Sequence, residues 1–145
     1  KTIKLNNFTI LNKIYLGMSN AITLGIVIEV KSWFRDDLTS DTSSSFIHNY
    51  QIRIINKMQS PVQLISREWN VRHLIHGGSH ISGEGVIGQK PILLPNEIFE
   101  YTSGCELISS IGWMQGKFHF KNLDTKDLFE VEIPQFYMYY PPLLN

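Results

Sequence analysis

From Thr23 onward the odd and even positions separate: Leu24, Ile26, Ile28 and Val30 share one face, while Gly25, Glu29 and Lys31 share the other. A side-chain period of two is the mark of a strand that buries one face. The alternation returns in Tyr50, Ile52 and Ile54 against Gln51 and Arg53, and stops at Asn56. Residues 57–61 supply a turn and Val62 opens an extended run to about His73, so these two runs are expected to form a β-hairpin. Further short strands are expected over residues 98–101, 114–122 and 129–133, the last two flanking the turn-rich stretch 123–127.

Glycine clusters (Gly77, Gly78, Gly83, Gly85, Gly88), read as turns, together with Pro91 and Pro95 break any helix proposed for the middle of the chain. The expected fold is therefore all-β: an antiparallel sandwich of immunoglobulin or fibronectin type III-like form, with a barrel as the other arrangement such strands permit. Residues 36–45 (DDLTSDTSSS) offer nothing to a core and read as a mobile loop. In residues 1–20, Phe8, Leu11 and Tyr15 fit a weak helical stripe as well as Ile3, Leu5 and Ile10 fit extended pieces. That segment is set apart as an N-terminal extension or linker, and residues 21–145 are taken as the domain.

A chain of 145 residues can bury a core without disulfides, and Cys105, the only cysteine, makes an internal one impossible. A lone cysteine on a strand reads as a small buried hydrophobe, and it suits a reducing, intracellular setting: the cytoplasm, or an organelle if a targeting segment has been removed. Thirteen basic residues balance thirteen acidic ones in scattered positions, so nothing draws in a polyanion and nucleic acid is not an expected partner. No apolar run approaches the roughly 18 residues of a membrane span, so the domain is expected to be soluble.

Gly83-Glu84-Gly85-Val86-Ile87-Gly88 matches GxGxxG, but Ser79-His80-Ile81-Ser82 before it and Gln89-Lys90-Pro91 after it are not the strand and helix of a dinucleotide site. The reading is a tight glycine turn or bulge, with an anion-accepting nest of amides as the functional alternative. Arg67 shares strand parity with Ile65, Trp69 and Val71, which aims it at the apolar face. A guanidinium there needs a partner: a ring, a carboxylate or strand carbonyls in the structural reading, a bound anion beside the glycine loop in the functional one. His73, His76 and His80 have a spacing that does not gather three rings on one face of a strand, so no metal is expected.

Nucleophile and base constellations are missing, and Glu84, Glu97 and Glu100 read as solvated carboxylates. The run from Phe136 through Met138 and Tyr140 to Leu144 places rings or apolar groups on both parities. It is either a strand covered on both sides, or one whose outer set, Tyr137 and Tyr139 or the opposite one, awaits a partner together with Leu143.

Five segments in order carry a resemblance: Val62-Gln63-Leu64-Ile65-Ser66-Arg67-Glu68-Trp69, Gly83 to Pro91 as quoted, Phe99-Glu100-Tyr101-Thr102-Ser103-Gly104, Gly112-Trp113-Met114-Gln115-Gly116 and Val131-Glu132-Ile133-Pro134-Gln135-Phe136. Over roughly residues 21–141 the chain resembles the ApaG domain family. The resemblance implies a fibronectin-type sandwich, no established catalytic residues and no cofactor. It also implies a role in protein interaction, since the domain occurs alone in bacteria, linked to divalent-cation tolerance, and as a module of an F-box protein and a polymerase-delta-interacting protein. Gly83, Gly85 and Gly88 correspond to a loop discussed in the family as a pyrophosphate-binding element. Asn96 stands where the family pattern has a glycine, and it tolerates the same left-handed turn.

The expected function is thus a non-enzymatic protein-binding module, part of a larger eukaryotic protein, whose binding surface is formed by the glycine-rich connection and the aromatic C-terminal strand, with homo-oligomerisation left open. The alternative is a small-anion, pyrophosphate or nucleotide receptor using Gly83, Gly85, Gly88 and Arg67, linked to divalent-cation homeostasis.

Overall fold

The computed structural model describes residues 17–38, 45–75 and 77–141. Nine strands follow one another: β1 (Gly17–Thr23), β2 (Ile26–Phe34), β3 (Phe46–Asn56), β4 (Val62–His73), β5 (Gly77–Glu84), β6 (Ile92–Leu93), β7 (Ile98–Leu107), β8 (Ile111–Asn122) and β9 (Leu128–Tyr139). All pairings are antiparallel. One sheet has the order β1-β2-β3-β7 and the other β5-β4-β8-β9, with β6 continuing the β5 side of β4. The sandwich expected from the alternation is what forms. Ile26, Ile28, Val30, Ile52 and Ile54 of the first sheet meet Leu64, Trp69, Phe118, Phe120, Val131 and Phe136 of the second, all buried.

Several local expectations are corrected. β3 and β4 are not a hairpin: they lie in different sheets, and residues 57–61 arch from one layer to the other. Asn56 fixes the arch. Its fully buried amide donates to the carbonyls of Ser60 (2.9 Å) and Leu93 (3.0 Å), and its Oδ1 accepts from the Met58 N–H (2.9 Å). The stretch from Gly77 is not a cluster of turns but strand β5, whose residues pair with Ser66–His73 of β4. Residues 17–20, set apart with the N-terminal segment, belong to β1 and pair with Glu29, Val30, Lys31 and Ser32. Residues 1–16, and residues 39–44 of the loop, lie outside the described residues.

Leu24 does not join the core face of β2 but is exposed in the two-residue β1–β2 turn, with φ of 51° beside 90° at Gly25. Positive φ at both central residues suits Asn-Gly and penalises a branched aliphatic side chain. Leu24→Asn is therefore expected to raise the unfolding free energy by about 0.5–1 kcal/mol. Urea unfolding checks this, and a fall in the midpoint would contradict it.

Two bulges set which side chains face where. At Ile65 the β4–β8 register shifts, so Val62 and Leu64 point inward before it and Arg67, Trp69 and Val71 after it. In β9 the shift falls at Pro134 and Gln135, and the inward set changes from Val131 and Ile133 to Phe136 and Met138. Proline lacks the N–H a ladder needs, so a bulge is where a strand of this kind can carry it.

Candidate functional site

The second bulge decides the C-terminal run. Phe136 and Met138 are buried, while Tyr137 and Tyr139 are 45% and 38% exposed on the outer face of the second sheet. Trp113 of β8 is the register partner of Tyr137 and lies half-buried on the same face. The three rings form a row: Trp113 to Tyr137 is 6.1 Å between centroids, and Tyr137 stacks on Tyr139 at 5.9 Å. Gln135 Nε2 donates to the Tyr137 hydroxyl at 2.8 Å and holds that ring in place. Beside Trp113 stands the exposed Arg72.

The row continues around the end of the sandwich. The Leu74 N–H donates to Ile111 O (3.1 Å) and to Ser109 Oγ (3.0 Å), and the Ile108 N–H to His73 Nδ1 (3.2 Å). These bonds tie the tip of the β4–β5 hairpin to the β7–β8 turn and leave Leu74, Ile75 and Ile108 exposed together. Such a group of rings and aliphatic side chains beside an arginine has the composition of an interface centre. Leu143 lies outside the described residues.

The glycine segment sits elsewhere. Gly83 is in β5, and Gly85 (φ 57°) leads into a tight turn, Val86 N–H to Gln89 O (2.8 Å) and Gln89 N–H to Val86 O (2.9 Å), with φ of 43° at Ile87 and 75° at Gly88. A Cβ at Gly85 would overlap the Gln89 carbonyl oxygen, so glycine is required there. The Gly85 N–H is also spent, on Ile65 O (2.8 Å), so three of the amides a nest would use are already bonded within the fold. Strand β6 follows this turn, not a helix. Glu84 pairs with Ser66, and Trp113 with Arg72 six residues along β4, which puts the glycine turn and the ring row roughly 20 Å apart.

Arg67 points inward as its parity indicates, and its Nη1 donates to the carbonyls of Glu84 (3.0 Å) and Gly85 (2.7 Å). His73 and His80 project from opposite faces of the second sheet, and His76 lies outside the described residues. His80 instead bonds Asn70 Oδ1 through Nδ1 (3.0 Å), and it flanks Glu68 together with His119, whose Nε2 is 2.8 Å from the carboxylate. Next to them Lys117 and Glu130 bond at 2.9 Å and hold each other charged, the amine raised and the carboxyl lowered. The network is half-exposed on the outer face of the sheet, and ion pairs open to solvent contribute little to stability.

Among the described residues no group of three or more His, Cys, Asp or Glu side chains is placed to hold a metal ion. Burial pushes the Cys105 thiol up to about 11, away from the thiolate a nucleophile needs. Glu84 pairs with Lys90, Glu100 with Arg53, and Glu97 accepts from the Leu94 N–H. No helix among the described residues is long and apolar enough to cross a membrane.

The family profile of the ApaG domain matches residues 36–122. Protein ApaG of Anaeromyxobacter dehalogenans is 36% identical over 128 residues, which cover 88% of this chain and 100% of that protein. The chain belongs to the ApaG domain family. Protein ApaG of Brucella canis is 33% identical over 119 residues, covering 82% of this chain and 91% of its own. The crystal structure of the putative ApaA protein from Bordetella pertussis superposes with a TM-score of 0.77 at 34% identity, over 80% of this chain and 94% of that one. These bacterial relatives are spanned almost end to end, so membership of the ApaG family does not require a larger eukaryotic protein around the domain.

Proposed function

We propose that this ApaG domain is a non-enzymatic protein-binding module, and that the partner covers the row of Trp113, Tyr137 and Tyr139. The observation that carries the reading is the exposure of Tyr137 and Tyr139 in one row with the half-buried Trp113, with Leu74, Ile75 and Ile108 exposed at the end of the same sandwich. Rings on a sheet lose little conformational entropy on contact, and buried aromatic anchors dominate interface energies. The glycine turn, at the other end of the sheet, is not part of this surface.

The test is affinity capture of partners from cell extract, followed by titration of the captured partner against variants. Trp113→Ala, Tyr137→Ala and Tyr139→Ala are each expected to weaken binding by about 2 kcal/mol or more, while Leu128→Ala, exposed elsewhere, leaves it unchanged. Unaltered thermal midpoints would show the variants folded. Undiminished capture by all three ring variants would refute the reading.

A further inference from the structure

Along one side the strands β1 and β2 are laced to β9 by side-chain hydrogen bonds. There Ser19 Oγ donates to Gln135 O (2.8 Å), Ser32 Oγ to Tyr137 O (3.2 Å), and the Glu132 N–H to Thr23 Oγ1 (3.3 Å). On the other side the sheets end in the edge strands β7 and β5. Polar side chains converge between these edges. Tyr101 of β7 points inward, its Cα partner being the buried Ile52, and Ser103 follows opposite Tyr50. Arg67 turns in from β4 and lies flat over Gly83, where an added Cβ would stand 3.1 Å from Nη1 and 3.3 Å from Nη2.

Two features of this cluster ask for a ligand. Tyr101 is only 5% exposed, and its hydroxyl has no hydrogen-bond partner among the described residues. A buried hydroxyl left unpaired costs about 1–3 kcal/mol, so native folds rarely leave one without a purpose. The second feature is Arg67, which has no carboxylate partner among the described residues. Its Nη1 hydrogens are spent on the two carbonyls of Glu84 and Gly85. What remains is the edge formed by Nε–H and Nη2–H, two parallel donors spaced for the two oxygens of a carboxylate. Register sets Arg67 and Tyr101 at one level of the sandwich. Tyr50 meets Trp69 at 5.4 Å between ring centroids, and two residues further towards the Asn56 arch stand Ile52, with Tyr101 opposite it, in the first sheet and Arg67 in the second. In keeping with this, the Arg67 charge opposes the upward push of burial on the Tyr50 and Tyr101 phenols, and the Tyr50 hydroxyl bonds Ser103.

We propose that the open side of the sandwich receives a carboxylate, held by the Nε/Nη2 edge of Arg67 and by the Tyr101 hydroxyl. The anion completes both unmet groups and supplies the counter-charge that Arg67 lacks. Ile81 of β5, 47% exposed and on the same inner face as its Cα partner Trp69, gives the remainder of the ligand an apolar wall. The site is independent of the ring row, which lies on the outer face of the second sheet. The carboxylate can come from a free small acid or from an Asp or Glu side chain of a peptide.

NMR titration of the whole chain separates these sources, with acetate and succinate in one arm, an amide-capped Gly-Glu-Gly peptide in another, and pyrophosphate in a third. The expected result is a saturable shift of the Arg67 Nε–H signal and the Tyr101 ring signals with a carboxylate probe. Preference for succinate assigns a free acid, and preference for the peptide assigns a protein side chain. Tyr101→Phe removes only the orphan hydroxyl, so it is expected to fold and to bind about tenfold or more weakly. Arg67→Lys keeps the charge but not the fork and is expected to lose binding. No shift with any carboxylate up to about 50 mM would mean that water alone fills the gap and would overturn the proposal. Undiminished binding by Tyr101→Phe would do the same, as would pyrophosphate moving the Ile87 and Gly88 amides while Arg67 Nε–H stays still.

Discussion

Trp69→Ala is expected to remove about 3–5 kcal/mol of stability, the range for truncating a large ring in a packed interior. The indole is 2% exposed and stands where the two layers meet. Tyr50 reaches it from the first sheet at 5.4 Å between centroids, while Phe136 (6.0 Å) and Phe118 (6.4 Å) flank it within its own sheet, both edge-on. Few positions touch so many rings from both layers, so collapse around an alanine cannot recover the contacts without moving a strand. Against a total of about 5–15 kcal/mol for a domain of this kind, the loss leaves the fold marginal. Urea unfolding of the variant, with Trp69→Phe as the partial truncation between the two, gives the measurement. A loss below about 1 kcal/mol would mean that the indole is not what joins the layers.

How far such a residue could be read beforehand depends on whether its strand is buried on one face. The runs Ile26–Ile28–Val30 and Tyr50–Ile52–Ile54 announce themselves because each is a strand with one buried face. β5 does not, because every residue but Gly83 is exposed on both faces of an edge and no alternation is left to see. The arch at residues 57–61 has the composition of a hairpin turn. Its real role is set by the buried Asn56 amide bonding Leu93, 37 residues away, a contact that composition cannot report. Parity beyond a bulge is equally silent. Which of the C-terminal rings face out is fixed at Pro134 and Gln135, and Trp113, absent from the expected site residues, joins Tyr137 and Tyr139 only through cross-strand register. Pro134 was the available signal, since a proline inside a run of strand character marks a bulge or an edge. Arg67 was legible as inward-facing and carbonyl-bonded, but its neighbour Tyr101 belongs to a strand 34 residues on, and nothing local links the two.

Acid should weaken the fold most through His48. It is 1% exposed on the inner face of β3, edge-on to Phe34 at 5.3 Å, and its Nε2 is buried with no partner among the described residues. Across the β3–β7 pair stands Cys105, whose thiol burial keeps protonated, so no negative charge there favours an imidazolium. Burial lowers the imidazole from 6.5 to about 4. The sign follows from which state binds the proton. Above pH 6.5 neither the folded nor the unfolded chain protonates His48, and its contribution is whole. As the pH falls from 6.5 towards 4, the unfolded chain takes up a proton that the folded chain refuses, and stability drops. At 1.36 kcal/mol for each pH unit between the two values, the full loss is roughly 3 kcal/mol. His48→Phe fills a similar volume beside Phe34 and removes the titrating group. It is expected to flatten the fall between pH 6.5 and 4.5, and the difference from the parent chain isolates His48, because His73, His80 and His119 are common to both proteins. Parallel curves for the two across that interval would show that the folded chain accepts the proton, and that His48 is not held neutral by its burial.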